Sequence, residues 1–197
     1  MFTGIINKIG TINDIDLKEN LIKITSLDVS ISEGESVSVD GICLTLVKLE
    51  DNILYFQVSQ ETIQKTIIKD YKKETTVNLE TPVTLETFLS GHFVLGHVDD
   101  IVTLIKIDKI KNDLWNFYFT LPYDNLIVHK GSLTINGISL TSNLIDDKSF
   151  YVSVVSETYN RTNLKYSKVG DRFNVEYDII GKYIRKFSDD HWYRNNY

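Results

Sequence analysis

The chain has 197 residues, of which 42% are hydrophobic and 24% are charged, and its formal net charge is −6. This composition is typical of a soluble globular protein, and the negative charge disfavours binding to nucleic-acid phosphates. The apolar runs are far shorter than the ~20 residues that cross a bilayer, and the amino terminus lacks the layout of a secretion signal, so we expect no membrane association. A single cysteine cannot form an internal disulfide, and we therefore expect a cytoplasmic protein.

The chain carries a duplication. Residues 36–80 align without a gap with residues 132–176, and 15 of these 45 pairs are identical. Chance would give about three identities, so the repeat is a strong signal. Upstream, GIINKI from Gly4 aligns with GHVDDI from Gly96 at a shift four residues shorter, and a loop must absorb the difference. We expect two related units at 1–87 and 88–178, followed by a tail at 179–197.

Each unit has the pattern of β-structure. Apolar residues alternate or form runs of four to eight, β-branched and aromatic residues dominate, and turn signals recur at short intervals. This predicts an antiparallel barrel or sandwich. The dipeptides Asp40-Gly41 and Asn136-Gly137 predict tight turns with positive φ. The segments SQETIQKTII and SETYNRTNLK predict short helices that Ser59 and Ser156 could cap.

The tail predicts a helix. Ile180, Tyr183, Ile184 and Phe187 recur at three- and four-residue spacing, as on one stripe of an amphipathic helix. Such a stripe either covers a barrel or packs against its copies in an oligomer, and we favour the oligomer. The last ten residues, SDDHWYRNNY, receive no assignment.

In the repeat alignment, Cys43 pairs with Ser139, so a thiol in the first unit corresponds to a hydroxyl in the second. A lone cysteine in a strand is usually a small buried residue, but matched polar atoms beside repeated turns favour contact with a ligand. His92 and His97 would lie on opposite faces of a strand, and no further residues complete a metal set, so we expect no metal site. His97 aligns with Ile5 and is either a structural histidine or a proton-handling group.

Hydroxyl groups and one lysine accompany these residues. The hydroxyl-bearing residues near the repeated turns are either surface residues of strands or groups that suit a polyol or the edge of a heterocycle; they are Thr45, Thr62, Thr141, Thr158, Ser59 and Ser156. Lys130 has no lysine partner in the first unit; it is either a surface residue or a group that neutralises an anionic intermediate. The chain contains no phosphate-binding glycine loop, GxSxG turn or HExxH pattern.

Six motifs in order resemble the riboflavin synthase alpha-chain family over Met1 to Phe187: MFTGI, GICLT, GHFVLGHVD, KG, NGISLT and DIIGKY. The resemblance implies an all-β fold, with two similar six-stranded Greek-key β-barrels in tandem and a C-terminal α-helix through which three chains associate. It also implies a dismutation of two molecules of 6,7-dimethyl-8-ribityllumazine. One donates a four-carbon unit to the other, which gives riboflavin and 5-amino-6-ribitylaminopyrimidinedione without any cofactor.

The resemblance implies two pockets and a site shared between chains. The first pocket would be lined by Gly4, Ile5, Ile6, Cys43, Leu44, Thr45, Gln57, Val58, Ser59, Gln60, Glu61 and Thr62. The second would be lined by Gly96, His97, Val98, Lys130, Ser139, Leu140, Thr141, Val154, Val155, Ser156, Glu157, Thr158 and Tyr159. Each site would hold two substrate molecules between the first barrel of one chain and the second barrel of another.

The resemblance also implies catalytic roles. Ser139 and His97 would be polar partners of the ring that loses a proton, and Cys43 would lie near the other ring. Phe2 would lie close to both rings, while Lys130 and hydroxyls such as Thr141 would stabilise the anion. The resemblance leaves open an association with lumazine synthase, the enzyme of the preceding step.

Two other functions are compatible with a barrel of this kind. The first is a non-catalytic lumazine- or flavin-binding protein on the same fold; such proteins lose the reactive side chains, whereas this chain keeps Cys43, His97, Ser139 and Thr141. The second is an oligonucleotide-binding barrel, which the net charge and the lack of basic residues among exposed aromatic residues disfavour.

Overall fold

The computed structural model describes residues 1–27, 30–111, 113–123 and 125–196, with side chains up to residue 189. Within these residues, twelve β-strands form most of the regular structure. The strands are β1 Lys8–Asp16, β2 Leu21–Thr25, β3 Ser36–Val39, β4 Ile42–Glu50, β5 Ile53–Gln57, β6 Thr76–Glu80, β7 Asp100–Ile110, β8 Leu114–Thr120, β9 Ser132–Ile135, β10 Ile138–Leu144, β11 Ser149–Val155 and β12 Arg172–Tyr177. Three α-helices accompany them: α1 Gln60–Lys65, α2 Ser156–Arg161 and α3 Ile179–Asn196.

The strands form two closed barrels with one topology. Around the first barrel the order is β1-β2-β5-β4-β3-β6, and around the second it is β7-β8-β11-β10-β9-β12. In each barrel the sixth strand lies beside the third, which is the Greek-key arrangement, and neighbouring strands run antiparallel. The predicted fold of two six-stranded barrels in tandem, followed by a helix, is confirmed.

Each barrel encloses a core of its own. Strands such as β2 and β5 alternate buried residues with partly exposed ones, as the period of a strand requires when one face is covered. Ile22, Ile24 and Phe56 are fully buried in the first core, and Phe117 and Phe150 are fully buried in the second. Burying one such side chain contributes about 1.5–3 kcal/mol, so both barrels are held mainly by apolar packing.

The two predicted turns meet between the barrels. Asp40 and Gly41 have φ of 46° and 79°, and Asn136 and Gly137 have φ of 45° and 76°, so both turns have the expected positive φ. Gly41 and Gly137 lie in direct contact. The turns therefore sit on an approximate two-fold axis that relates one barrel to the other.

Buried asparagines bind the turns across this axis. Asn78 Nδ2 donates to the Asn136 carbonyl at 2.9 Å, and Asn174 Nδ2, from the equivalent strand of the other barrel, donates to the Asp40 carbonyl at 2.9 Å. Asn163 breaks this symmetry. Its Nδ2 donates to the Asp40 carboxylate, and its backbone amide donates to Asn78 Oδ1. Residue 67, its counterpart in the repeat, is an isoleucine.

The Asp40 carboxylate is completely enclosed at this interface. It accepts hydrogen bonds from the Asn78 amide at 2.7 Å, the Tyr71 hydroxyl at 2.9 Å and Asn163 Nδ2 at 3.0 Å. Burial nevertheless raises the pKa of Asp40 from 3.8 to about 7. The barrels are thus joined through a carboxyl group that is close to its titration midpoint at neutral pH.

The helices follow the predictions with one exception. Ser59 caps α1, since its hydroxyl accepts from the Thr62 amide at 3.0 Å. The prediction that Ser156 caps α2 is wrong, because α2 begins at Ser156 and its cap residue, Val155, makes no side-chain bond. In the repeat alignment Ser59 pairs with Val155, so the serine is displaced by one position.

Helix α3 carries the predicted stripe. The side chains of Ile180, Tyr183, Ile184 and Phe187 are 57–68% exposed. The last ten residues enter this helix as far as Asn196, but the side chains beyond residue 189 lie outside the described part of the chain. Among the described helices, none is long and apolar enough to cross a membrane.

Candidate active site

Strand β10 forms one wall of a cleft in the second barrel. The cleft has a volume of about 480 Å³, within the range of small-molecule sites. Its lining includes Ser139, Leu140 and Thr141 from β10, and Thr158 from α2. The equivalent strand of the first barrel, β4, places Cys43, Leu44 and Thr45 at the same positions. Each barrel therefore carries the same set of strand positions, which we call its half-site.

Ser139 is hydrogen-bonded to a histidine. The Nδ1 atom of His92 lies 2.7 Å from the Ser139 hydroxyl oxygen. Burial lowers the pKa of His92, and the nearby Asp178 carboxylate opposes this effect. A neutral imidazole can accept the hydroxyl hydrogen, so the pair has the geometry of a serine activated by a general base.

His92 is a site residue that the sequence did not predict. A continuous strand through His92 and His97 was expected, whereas residues 91–99 form an irregular segment with a single bridge at Val94. The alternation rule for strands does not apply to such a segment. The signal that could have found His92 is its place in the GHF motif, one residue from a glycine that lines the cleft.

The segments that complete the half-sites are exchanged between the barrels. The Ser139 amide donates to the Gly4 carbonyl at 2.8 Å, and the Cys43 amide donates to the Gly96 carbonyl at 2.8 Å. Ile5 accordingly lines the Ser139 cleft. The expected grouping of Gly4 and Ile5 with Cys43, and of Gly96 with Ser139, is wrong within one chain.

The neighbouring residues follow the same exchange. Ile6, expected in the first pocket, is buried in the core of the second barrel, and Val98, expected in the second pocket, packs against the core of the first. The cause is the bridge between Phe2 and Val94, where the two segments pair with each other on the approximate two-fold axis and then cross.

Two buried glutamates hold the crossing segments. Glu80 accepts from the Thr3 and Gly4 amides at 2.7 and 2.9 Å, and Glu176 accepts from the Leu95 and Gly96 amides, both at 2.9 Å. Burial raises the pKa of both carboxyl groups, although these hydrogen bonds oppose it. Each glutamate thus fixes the glycine that contacts Cys43 or Ser139.

Several predicted site residues have core positions. Phe2 is completely buried, and its expected position close to the reacting rings stays a prediction. Val58 and Val154 also belong to the cores. Tyr159 stacks on Trp115 with ring centroids 4.1 Å apart, so its ring already has a partner within the barrel.

Leu44, also predicted, belongs to the first core, whereas most of the other predicted residues lie at or near the protein surface. His97, Thr45 and Thr141 are exposed. Exposed positions are also occupied by Gln57, Ser59, Gln60, Glu61, Val155, Ser156 and Glu157, while Thr62 and Thr158 are half-buried. Glu61 and Glu157 form ion pairs with Lys65 and Arg161 along their helices. Lys130 lines the second cleft, as expected if it faces the second turn.

Among the side chains that the structure describes, no group of three or more His, Cys, Asp and Glu residues could hold a metal ion.

The fold and the cleft define a class of protein: a duplicated β-barrel protein with a small-molecule cleft on the second barrel and matched residues on the first. A model of the lumazine binding domain family matches residues 3–82 and 95–178. The chain is 40% identical over 187 residues to riboflavin synthase from Chlamydia trachomatis serovar D, which covers 92% of both proteins. It is 36% identical over 192 residues to riboflavin synthase from Actinobacillus pleuropneumoniae, covering 95% of this chain and 89% of that protein. The chain therefore belongs to the riboflavin synthase family.

Solved structures share the architecture. A crystal structure of LumP complexed with riboflavin superposes with a TM-score of 0.81 at 24% sequence identity, and covers 90% of this chain and 99% of that chain. LumP complexed with 6,7-dimethyl-8-(1'-D-ribityl) lumazine superposes with a TM-score of 0.79 at 24% identity. At 24% sequence identity, this structural similarity to LumP shows a shared fold and nothing further about this chain.

Proposed function

We propose that this chain is a riboflavin synthase that transfers a four-carbon unit between two molecules of 6,7-dimethyl-8-ribityllumazine. The observation that carries the proposal is the pair of matched but chemically different half-sites, with Cys43 on one barrel and Ser139 on the other. Donor and acceptor are the same compound, so two related pockets can hold them. Their fates differ, and the pockets differ at the residues closest to the repeated turns.

The chemistry requires one ring to lose a proton. The C7 methyl group of the lumazine is acidic because the resulting anion is delocalised into the pyrimidinedione ring. His92 accepts this proton through the Ser139 hydroxyl, to which it is hydrogen-bonded at 2.7 Å. One molecule then loses the four carbons that the other gains, so the exchange balances and needs no redox cofactor.

The protein accelerates this reaction mainly by holding the rings together. Placing two reactants in a productive orientation can lower the activation barrier of the uncatalysed reaction by about 7–11 kcal/mol. The crossing segments, fixed by Glu80 and Glu176, set the backbone around each ring. Lys130 lies in the Ser139 cleft, where its ammonium group can stabilise the anion.

We also propose that the working site forms between chains. The first half-site of one chain would face the second half-site of another, in a homotrimer joined by α3. The support is the exposed apolar stripe at Ile180, Tyr183, Ile184 and Phe187, which is covered by nothing in the single chain that the structure describes. We assign residues 1–87 and 88–178 to the two barrel domains and residues 179–197 to the oligomerisation helix. A cytoplasmic location suits the single free cysteine.

The experiment that tests the function is an incubation of the purified protein with 6,7-dimethyl-8-ribityllumazine. We expect riboflavin and the pyrimidinedione to accumulate in equal amounts, measured by riboflavin fluorescence and by chromatography. An incubation without the protein is the control for riboflavin formed in free solution. Tight binding of the lumazine with no riboflavin formed would instead identify a non-catalytic binding protein.

A further inference from the structure

The second barrel has a lysine where the first has a glycine, at a turn of the same geometry. The Lys130 amide donates to the Ser142 carbonyl at 2.8 Å, and the Gly34 amide donates to the equivalent Leu46 carbonyl at 2.8 Å. Both residues are left-handed, with φ of 64° and 89°. This conformation costs a residue with a side chain about 1–2 kcal/mol, whereas glycine adopts it freely. A lysine in this strained conformation indicates that its side chain has a function in the cleft.

The Lys130 side chain is held by Asn143. Its ammonium nitrogen donates to Asn143 Oδ1 at 2.5 Å, and Asn143 is 5% exposed. In the gapless repeat alignment Asn143 pairs with Val47, which lies in the β-bulge between Leu46 and Lys48, is 52% exposed and offers no side-chain hydrogen bond. The strand register places Lys48 opposite Tyr55, as Asn143 lies opposite Tyr151, and the Lys48 ammonium is paired with the Glu50 carboxylate. Both members of the pair are therefore absent from the Cys43 half-site.

The pair orients a charge without cancelling it. The twelve residues that line the cleft include no aspartate, glutamate or arginine, and Lys130 is the one charged residue among them. An ammonium has three N–H donors, so a neutral amide that accepts one of them leaves two for a ligand. A carboxylate in place of Asn143 would fix the lysine equally well but would neutralise it.

We propose that Asn143 is a positioning residue, which holds the Lys130 ammonium where it stabilises the deprotonated ring and thereby determines that the second barrel binds the anionic one of the two substrate molecules. This inference rests on the proposed function. In the first barrel Gly34 and Val47 stand at the aligned positions and Lys48 is paired with Glu50, so the Cys43 half-site holds no lysine in this way and binds the neutral molecule.

The test is a spectroscopic pH titration of bound 6,7-dimethyl-8-ribityllumazine, recorded by rapid mixing before the first turnover, because loss of the C7 methyl proton changes the conjugation and the absorbance of the ring. In the parent protein we expect one of the two bound molecules to ionise at a lower pH than the free compound. Asn143→Val, which copies the first barrel, should weaken this preference for the anion about tenfold, since a misplaced charge loses part of its Coulomb attraction. The kcat should fall by a similar factor with little change in KM.

Three further variants separate positioning from structure. Asn143→Asp should weaken the anion preference although it keeps Lys130 in place, because the charge is neutralised. Lys130→Gly should do the same while raising Tm, since it removes the left-handed lysine. Val47→Asn, the matched change in the barrel without the lysine, should titrate like the parent.

The outcomes distinguish this inference from the function on which it rests. If the parent neither binds the lumazine nor forms riboflavin, the proposed function and the inference both fail. If the parent does both and the Asn143 and Lys130 variants titrate as it does, the positioning role alone is refuted.

Discussion

At the scale of single residues, burial decides what His92 can do. The imidazole is partly enclosed, and burial favours its neutral form, which is the form that accepts a proton from Ser139. No comparable hydrogen bond joins a histidine to Cys43 among the described residues. The two half-sites thus differ in proton chemistry as well as in sulfur and oxygen.

We predict that His92→Gln lowers kcat by roughly 10²–10⁴, the usual contribution of a general base. The pKa of His92 lies below its ordinary 6.5, so the parent rate should be flat above that pH and should fall as acid protonates the imidazole. The variant should lose this acid limb, as measured in the pH profile of kcat. His97→Gln, at an exposed residue of the other half-site, should retain it; an unchanged limb in His92→Gln would refute the role of His92.

Asp40 provides a second prediction at this scale, about stability. Its pKa is about 7 in the folded protein and 3.8 in the unfolded chain, so between these values the folded state holds a proton that the unfolded state has lost. The free energy of unfolding should therefore fall as pH rises from about 4 to 7, by roughly 4 kcal/mol, since each pKa unit corresponds to about 1.4 kcal/mol. Asp40→Asn should remove this fall and be more stable than the parent at pH 8.

Denaturant unfolding at several pH values measures this effect. The substitution copies Asn136, which already occupies the equivalent turn and accepts from the Asn174 amide at 2.8 Å. Asp70→Asn, at an exposed carboxylate bound to Arg172, serves as the comparison and should leave the slope between pH 4 and 7 in place. Parallel curves for the parent and Asp40→Asn would contradict the prediction.

At the scale of elements, the sequence predicts what local patterns determine. Alternation of apolar residues predicted the strands, Asp-Gly and Asn-Gly predicted the turns, and the spacing of Ile180, Tyr183 and Phe187 predicted α3. The internal repeat predicted two copies of one barrel. Each of these signals lies within a short stretch of chain or in the comparison of two stretches.

The exchange of segments between barrels has no local signal. Gly4 and Gly96 are equivalent in the repeat, and either could join either barrel without changing a hydrophobic pattern. The choice is made by long-range hydrogen bonds from Glu80 and Glu176 and by the bridge at Phe2. For the same reason the sequence could name most of the site's residues but could not sort them into the correct pockets.

Because the segments are exchanged between the barrels, substitutions at two equivalent glycines should disrupt different half-sites. A Cβ atom at Gly4 would lie 2.6 Å from Ser139 Cβ, and a Cβ atom at Gly96 would lie 2.6 Å from Cys43 Cβ. We therefore expect Gly4→Ala to disrupt the Ser139 half-site and Gly96→Ala to disrupt the Cys43 half-site. Calorimetry should give one bound lumazine per chain for each variant and two for the parent.

Gly170→Ala is the matched control for these variants. Gly170 is also left-handed, with φ of 98°, but no atom lies within 4 Å of its missing Cβ. It should show only the cost of backbone strain, about 1–2 kcal/mol in the free energy of unfolding, and should still bind two ligands. If Gly4→Ala instead abolished binding at the Cys43 half-site, the exchanged arrangement would be wrong.

At the scale of the whole molecule, the half-sites are carried by a rigid pair of barrels. Asn78 and Asn174 bind the opposite turns, and the crossing segments pass from one barrel to the other. A single chain therefore presents two half-sites whose relative position is fixed by buried polar contacts. Because donor and acceptor rings must stack, a second chain is needed wherever the two half-sites of one chain do not face each other.

Helix α3 is the element that we expect to bring the chains together. Full burial of side chains such as Tyr183 and Phe187, 60% and 68% exposed in the single chain, would contribute about 1.5–3 kcal/mol each. Ending the chain after Gly181, or replacing Tyr183 and Phe187 with serine, should give monomers by light scattering. Their riboflavin synthesis should fall steeply because the shared site is lost, while lumazine binding to the separate half-sites should weaken far less.

Val169→Ser, at an apolar residue that is 62% exposed outside α3, should leave both assembly and rate unchanged. A monomer with the parent's turnover would mean that one chain suffices, and that the stripe on α3 serves another purpose.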